Sequence, residues 1–300
     1  MRLSGVFVPM ATPTVGRRDE IDSPGIKRLT HTLTDAGVDG LFPCGSIGEF
    51  SSLCQGARHT VIDTVVNAAG ETPVLAGCGD TSLSAVVDHT EAAADAGADA
   101  AVVVTPYYLE TTQRGLRTFY ETVAERAPLP VVLYNIPGLT AHHLSVDTVS
   151  DLAAHEDIIG IKDTSGDMRY FQQLCTETPE TFQVLQGATE LSLAALDAGG
   201  DGLVAGPANV FPREVSELYA AYERGDRNRA VELMQTVVAP LVTATADVPT
   251  AAAMKHLLDC AGQKAGRPIP PLPTLTEQQR ESLAEAYNTV LETTTVSKRT

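Results

Sequence analysis

The feature that most constrains this sequence is a regular alternation of short apolar runs with longer amphipathic stretches. The apolar runs are rich in Val and Ile, and they are the length of buried strands. They lie at residues 5–12, 40–44, 73–78, 100–107, 130–135, 158–162, 183–187 and 202–206. In the stretches between them, residues such as Leu29 and Leu33 follow the spacing of a helix face. Strands that are apolar on both faces and alternate with helices predict a parallel sheet covered by helices.

Eight such units predict an α/β fold of the closed (β/α)8 kind, a TIM barrel, because about 250 residues are typical of that architecture. An open, doubly wound sheet is the alternative. It normally carries a glycine-rich fingerprint directly after the first strand, and the segment Val8–Pro13 has none. The barrel is therefore the favoured prediction.

Beyond Arg224 the strand pattern stops and only helical patterns remain. Helices are predicted at 226–245, 249–261 and 277–291, with a proline-rich extended connector at 268–273 and a loose tail after Thr293. Thr276 and Gln279 have the spacing of a capping box for the last helix. We therefore predict a catalytic barrel over residues 1–224 and a C-terminal helical region over residues 225–300 that packs on it.

The charge balance narrows the choice of partners. The chain has 21 Lys and Arg against 38 Asp and Glu, a net charge of −17, which argues against nucleic acids and anionic membranes. No apolar run approaches the roughly 20 residues that span a bilayer. The N-terminus lacks signal-peptide features, so a cytoplasmic location is expected. A carboxylate-rich, lysine-poor surface also suggests the hypothesis of a halophilic source. The five cysteines lack CxxC spacing and are expected to be small buried hydrophobes.

The active site of a barrel lies at the carboxyl ends of its strands. There the sequence places one lysine, several phenols and hydroxyls, and a turn flanked by glycines, in the segments Gly45–Glu49, Thr105–Tyr108, Tyr134–Pro137, Lys162–Thr164 and Gly187–Glu190. No histidines or carboxylates with the spacing of metal ligands lie among them, so neither a metal nor another cofactor is expected.

Lys162 stands at the end of an apolar strand. Taken alone, it is more simply explained as a solvated lysine that extends its amine to the surface. Among phenols at a barrel mouth, a half-buried amine is suited to Schiff-base chemistry, because burial favours the neutral form that attacks a keto carbon. Tyr134 is placed to move protons, and the turn at Ser46 and Ile47 can offer backbone N–H groups to a carboxylate.

Five stretches in register carry a resemblance to a known family. They are Gly45-Ser46-Ile47-Gly48-Glu49, Thr105-Pro106-Tyr107-Tyr108, Tyr134-Asn135-Ile136-Pro137, Gly160-Ile161-Lys162-Asp163 and Gly206-Pro207-Ala208-Asn209. The sequence resembles the dihydrodipicolinate synthase/N-acetylneuraminate lyase family of class I pyruvate aldolases, and is most similar to its 2-keto-3-deoxygluconate aldolase branch. The resemblance implies a homotetramer built as a dimer of dimers, which acts on a small keto acid and an aldehyde.

The resemblance also implies roles for particular residues. Lys162 corresponds to the Schiff-base lysine, and Tyr134 to the phenol that relays protons. Ser46 and Ile47 correspond to the carboxylate-binding pair, with the Ser46 hydroxyl also in the relay, and Tyr108 to a tyrosine that is lent across a dimer interface. The remaining residues implied to bind substrate are Thr164, Gly187, Thr189, Glu190 and Val204.

Two departures from the family pattern bear on specificity. The second threonine of the family's glycine-flanked loop is Ile47 here, so that side chain has no hydroxyl. The synthase branch carries an arginine where this chain has Leu139, and a leucine cannot bind a second carboxylate. The expected activity is therefore cleavage of a 2-keto-3-deoxy sugar acid into pyruvate and glyceraldehyde or its phosphate. The alternatives are 4-hydroxy-tetrahydrodipicolinate synthase, N-acetylneuraminate lyase, a sugar-acid dehydratase and a non-catalytic binding barrel.

Overall fold

The strands form a single closed barrel in the computed structural model, which describes residues 1–16 and 20–297. Within those residues the barrel strands are β1 Gly5–Pro9, β2 Gly40–Phe42, β3 Leu75–Gly77, β4 Ala100–Val104, β5 Val131–Asn135, β6 Ile158–Asp163, β7 Gln183–Gln186 and β8 Gly202–Val204. Neighbouring strands are parallel, and β8 pairs with β1. A bridge between Leu41 and Val74 joins β2 to β3 and closes the ring. The predicted (β/α)8 barrel is confirmed, and the open sheet is excluded.

A helix follows each strand and covers the outside of the barrel. These helices are α1 Ser23–Asp35, α2 Gln55–Ala69, α3 Leu83–Ala96, α4 Gln113–Arg126, α5 Val146–Leu152, α6 Met168–Glu177, α7 Ser192–Asp197 and α8 Pro212–Glu223. In α1 the periodic residues Leu29 and Leu33 are buried, as their spacing predicts. A two-stranded hairpin, Thr14–Val15 with Glu20–Ile21, was not predicted, because two-residue strands carry no periodic signal.

A repeated motif, Ala-Gly-x-Asp, ties helix ends to the bottom of the barrel. The carboxylates of Asp39, Asp99 and Asp201 each accept a 2.8 Å hydrogen bond from a backbone N–H that begins a neighbouring strand. The backbone N–H of each aspartate donates to the carbonyl of that same strand residue, at 2.9 to 3.0 Å. The glycines of the motif have φ between 80° and 97°, which lets each helix end and turn into the next strand. These paired bonds fix where β1, β3 and β7 enter the barrel.

We expect Asp99→Ala to lower the free energy of unfolding by about 1 kcal/mol, because the Val74 N–H loses its acceptor. Asp95→Ala, on the exposed side of α3, is the matched control and should change it by less than about 0.5 kcal/mol. Urea unfolding followed by circular dichroism measures both variants. If the two variants are equally stable, the hydrogen bond from the Val74 N–H to Asp99 does not contribute to the free energy of unfolding.

The C-terminal part of the described chain is helical, as predicted. Its helices are α9 Arg227–Leu233, α10 Ala239–Thr245, α11 Thr250–Cys260 and α12 Glu277–Ser297. A π-helical turn, Met234–Val238, joins α9 to α10. Pro240 accounts for this turn, because its ring has no N–H and would clash with the carbonyl four residues earlier. Among the described helices, none combines the length and the apolar character needed to span a bilayer.

The end of the chain is partly as predicted. Thr276 and Gln279 exchange the two hydrogen bonds of a capping box, at 2.9 and 3.3 Å. The loose tail predicted after Thr293 is wrong, because α12 continues to Ser297. Residues 298–300 of the predicted helical region lie outside the described residues. The boundary after residue 224 stays a prediction, since α8 and α9 pack against each other across it.

The cysteines differ in environment. Cys44 and Cys78 are buried as predicted, and burial raises the pKa of the Cys44 thiol to about 12, so it stays protonated at neutral pH. Cys54 is exposed, and Cys175 and Cys260 are half-buried. The prediction that all five are buried is therefore wrong for these three. Cys54 directly precedes α2, where it faces solvent.

Candidate active site

Lys162 and Tyr134 lie side by side inside the barrel mouth. β5 and β6 pair so that Tyr134 is opposite Lys162 and Asn135 is opposite Asp163. Tyr134 is 3% exposed and Lys162 is 6% exposed. Lys162 Nζ lies 3.7 Å from the centre of the Tyr134 ring and 5.4 Å from that of Phe42. The amine of Lys162 is therefore close enough to the phenol of Tyr134 for the two groups to act on one ligand.

The outer face of the same two strands carries a polar clamp. Side chains alternate along a strand, so Asn135 and Asp163 lie on the face opposite Tyr134 and Lys162. Asn135 Nδ2 donates to Asp163 Oδ1 at 2.8 Å, and the Ser165 hydroxyl donates to Asp163 Oδ2 at 2.8 Å. Burial raises the pKa of Asp163 above its ordinary value, while the bonds from Asn135 and Ser165 oppose that rise. The clamp holds β5 and β6 in the register that brings the amine to the phenol.

The turn at Ser46 meets Tyr134 from the other side. Ser46 Oγ lies 3.4 Å from Tyr134 Oη, and the turn is closed by the Glu49 N–H, which donates to the Ser46 carbonyl at 3.1 Å. Within the described residues, the backbone N–H groups of Ser46 and Ile47 donate no hydrogen bond. Two such donors beside a buried amine are suited to a carboxylate next to a keto group.

One cavity of about 760 Å³ joins these groups at the mouth of the barrel. The site residues predicted from the sequence that line it are Ser46, Ile47, Tyr134, Lys162, Thr164, Gly187, Thr189, Glu190 and Val204. Among the described residues that line this cavity, Lys162 is the only cation and Glu190 the only carboxylate. The end of the cavity lined by Thr164, Thr189 and Glu190 therefore offers hydroxyl groups and one carboxylate to a ligand.

Gly187 leaves room for the lysine. A Cβ at this position would lie 2.1 Å from Thr164 Oγ1 and 2.8 Å from Lys162 Cε, closer than atoms can approach. Thr164 Oγ1 is buried and has no hydrogen-bond partner within the described part of the chain. It lines the cavity, so a ligand hydroxyl can satisfy it.

Gly187→Ala should therefore lower kcat/KM by about 100-fold or more, because the added methyl group displaces Lys162 and Thr164. Steady-state kinetics of the variant and of wild type measure this effect. Gly138→Ala is a matched control, because a Cβ there meets no atom within 4 Å. Activity of Gly187→Ala equal to that of the control would contradict the crowding described.

Tyr108 is not brought to the cavity within one protomer. Its side chain is 92% exposed, and its backbone has a φ of 82°, a left-handed conformation that a tyrosine rarely adopts. Its neighbour Tyr107 packs edge-on against Phe50, with ring centres 6.2 Å apart, and so supports the loop from below. The loop thus presents Tyr108 outward at the cost of backbone strain.

One wall of the cavity was not predicted from the sequence. The C-terminal part of the chain contributes apolar side chains there, among them Leu241, Val242, Met254, Leu257 and Leu272. Leu139, in the single helical turn Pro137–Thr140, also lines the cavity and is 67% exposed. Leu139 was singled out from the sequence, but no local pattern identifies the C-terminal residues, because their place depends on how the C-terminal helices dock on the barrel.

The comparison with known proteins matches the chain to one family over nearly its whole length. A family model described as the dihydrodipicolinate synthetase family matches residues 2–290. The chain belongs to this family. Its members are pyruvate-dependent class I lyases, so the chain is a carbon–carbon lyase of that kind.

Similar relatives and structures extend over nearly the whole chain. The 4-hydroxy-tetrahydrodipicolinate synthase of Natronomonas pharaonis is 36% identical over 287 residues, which is 94% of this chain and 97% of the relative. That of Methanopyrus kandleri is 35% identical, over 94% of each chain. A dihydrodipicolinate synthase structure from Bacillus anthracis superposes with a TM-score of 0.92 at 31% identity, covering 96% of this chain and 98% of that one. YagE, a prophage protein of the family from E. coli K12 in complex with pyruvate, gives 0.91 at 30%, with the same coverage.

Proposed function

We propose that this protein is a class I aldolase that cleaves a 2-keto-3-deoxy sugar acid into pyruvate and a hydroxyaldehyde. The observation that carries the proposal is the cavity lining. Apart from Lys162, no described residue that lines the cavity is cationic. By the resemblance to the family, Leu139 corresponds to the arginine of the synthase branch. An acceptor with its own carboxylate would find no charged partner there. The same lining favours an unphosphorylated sugar acid over its 6-phosphate.

In the proposed reaction, neutral Lys162 Nζ attacks the C2 keto carbon to give a carbinolamine. Its hydroxyl group takes the phenol proton of Tyr134 and leaves as water, which gives a protonated imine and the phenolate of Tyr134. The imine withdraws electrons as the C3–C4 bond breaks, while the C4 hydroxyl proton passes to Tyr134 and the aldehyde leaves. The C3–C4 bond electrons remain as an enamine on Lys162. Protonation at C3 and hydrolysis of the imine release pyruvate and regenerate the amine. Ser46, 3.4 Å from the phenol oxygen, relays the proton towards solvent.

The two ends of the substrate are held differently. The backbone N–H groups of Ser46 and Ile47 bind the carboxylate, and Ile47 adds no hydroxyl to the relay. Thr164 Oγ1 binds a hydroxyl of the sugar tail because it otherwise has no partner among the described groups. Thr189 and Glu190 line the same end and offer further hydrogen bonds. A site that binds hydroxyl groups in this way rejects analogues that lack them.

A second candidate is 4-hydroxy-tetrahydrodipicolinate synthase. The names of the relatives favour it over the sugar-acid aldolase, because the relatives at 35% and 36% identity both carry that name. Leu139 weighs against it, since the carboxylate of an amino-acid aldehyde would lose its arginine partner. The lyase and dehydratase alternatives form the same imine, and no observation singles out either. A buried lysine 3.7 Å from a phenol ring argues against a non-catalytic barrel.

The two candidates are separated by an assay of acceptors with pyruvate held constant. Glyceraldehyde, glyceraldehyde phosphate and aspartate semialdehyde are compared side by side, and products are identified by mass. The proposal expects glyceraldehyde to be the best acceptor, with aspartate semialdehyde lower by about 100-fold or more in kcat/KM. Efficient use of aspartate semialdehyde would establish the synthase and reject the aldolase.

We also propose the homotetramer, built from dimers in which Tyr108 enters the neighbouring site. The outward position of Tyr108 in a strained loop supports this assembly. Light scattering coupled to gel filtration measures the mass, and a monomer would reject the proposal.

The proposed halophilic character has its own test. If carboxylate repulsion limits stability at a net charge of −17, the melting temperature should rise by roughly 5–10 °C from dilute to molar KCl. Differential scanning fluorimetry across a KCl series measures it. A melting temperature independent of KCl would reject a high-salt adaptation.

A further inference from the structure

A buried ion pair joins the turn that carries Ser46 to the C-terminal helices. Lys255 Nζ, on α11, lies 2.6 Å from Glu49 Oε1, at the end of the turn. The two side chains are 1% and 0% exposed. Two charges removed from water are costly to desolvate, so a buried pair is weak evidence for stability. The pair lies next to the proposed carboxylate site, so a role in holding that site explains its presence better than a role in stability.

Further polar contacts fix both partners. Glu49 Oε2 accepts a hydrogen bond from the backbone N–H of Ile269. Lys255 Nζ donates to the Arg267 carbonyl at 2.7 Å and lies 3.4 Å from Thr14 Oγ1. These two contacts of the carboxylate, with Lys255 and with the Ile269 N–H, therefore both come from the C-terminal part of the chain.

The backbone of Glu49 makes its side chain important for the turn. Its φ of 57° is left-handed, a conformation that a glutamate adopts only when its surroundings impose it. Its N–H closes the turn on the Ser46 carbonyl, and the Gly48 carbonyl accepts a 2.8 Å bond from Thr12 Oγ1. A carboxylate fixed from outside thus sets the conformation of the segment that bears Ser46 and Ile47.

We infer that Glu49 and Lys255 are positioning residues for pyruvate binding: the ion pair uses the docked C-terminal helices to hold the Ser46–Glu49 turn in its binding conformation. The inference rests on the proposed pyruvate site. Lys162 and Tyr134 stand on β6 and β5, outside this turn, so the amine that forms the imine keeps its position when the pair is removed. Loss of the pair should weaken pyruvate binding more than it slows imine formation.

The test uses the full-length double variant Glu49→Gln/Lys255→Met. Both charges of the buried pair are removed together, a replacement that proteins often tolerate. The KM for pyruvate in its condensation with glyceraldehyde is measured for the variant and for wild type. The rate of borohydride trapping at saturating pyruvate is measured for both proteins as well. Lys27→Met, the same chemical change on the exposed side of α1, is the matched control. We expect the KM of the double variant to rise about 10- to 100-fold, with the saturated trapping rate within about threefold of wild type.

A folded double variant with the KM of wild type would overturn the inference, and so would a loss of trapping rate at unchanged KM. If the double variant does not fold, Lys255→Arg takes its place: it keeps the charge but shifts the carboxylate, so a raised KM supports the inference and an unchanged KM overturns it. Wild-type protein that pyruvate does not label would instead contradict the proposed function, so the two failures are distinct.

Discussion

Lys162→Met should lower kcat/KM for aldol cleavage by about 10⁵-fold or more, because no other described group at the barrel mouth can form the imine. Methionine has nearly the same length and keeps the packing against the Tyr134 ring. The residual rate is measured by coupling pyruvate release to a reducing enzyme, at high enzyme concentration.

The same substitution should leave the fold intact and raise the free energy of unfolding. Lys162 is buried and has no carboxylate partner among the described residues, so its desolvation lowers the free energy of unfolding. Replacement by methionine removes this cost, as is common when a catalytic residue is replaced. Thermal melts of Lys162→Met and wild type provide this control. A variant that is folded and retains more than about a hundredth of the wild-type activity would show that Lys162 is not the nucleophile.

The second large effect is expected at Leu139. Leu139→Arg should raise kcat/KM for aspartate semialdehyde by about 10- to 100-fold, because a charge-assisted hydrogen bond to its carboxylate contributes about 1.5–3 kcal/mol. The position suits a long polar side chain, since Leu139 lines the cavity and is 67% exposed. The rate with glyceraldehyde should change little, because that aldehyde has no carboxylate.

Leu139→Gln is the matched control, since it gives a polar side chain without the charge. It should leave the preference between the two aldehydes as in wild type. If glutamine shifts the preference as much as arginine does, polarity rather than charge sets the specificity. If neither variant shifts it, the acceptor is selected elsewhere in the cavity.

The strand-and-helix alternation was sufficient to predict the barrel, because each buried strand and each helix face leaves its own period in the sequence. The rule that catalytic groups follow the strands then placed Lys162 and Tyr134 at one mouth. Their direct contact follows from β5 and β6 pairing in register, with Asn135 and Asp163 on the opposite face. Strand alternation predicts that Asp163 points away from Lys162, but not its bond to Asn135.

Contacts between segments distant in the chain could not be predicted in this way. The apolar wall that includes Met254 and Leu272 forms only when the C-terminal helices dock, and periodicity does not give their orientation. Glu49 belongs to a loop that looks solvated in the sequence, yet its carboxylate is fully buried against Lys255. Buried charge pairs of this kind carry no local signal, since either residue alone has the pattern of a surface position.

The central claim, that Lys162 forms a Schiff base with pyruvate, is tested most directly by borohydride reduction. Wild-type protein is incubated with pyruvate, reduced and digested, and the peptides are identified by mass spectrometry. The account predicts one pyruvate-sized adduct, on the peptide that holds Lys162, and none on the Lys162→Met variant. An adduct on another lysine, or unmodified protein after reduction at saturating pyruvate, would contradict it.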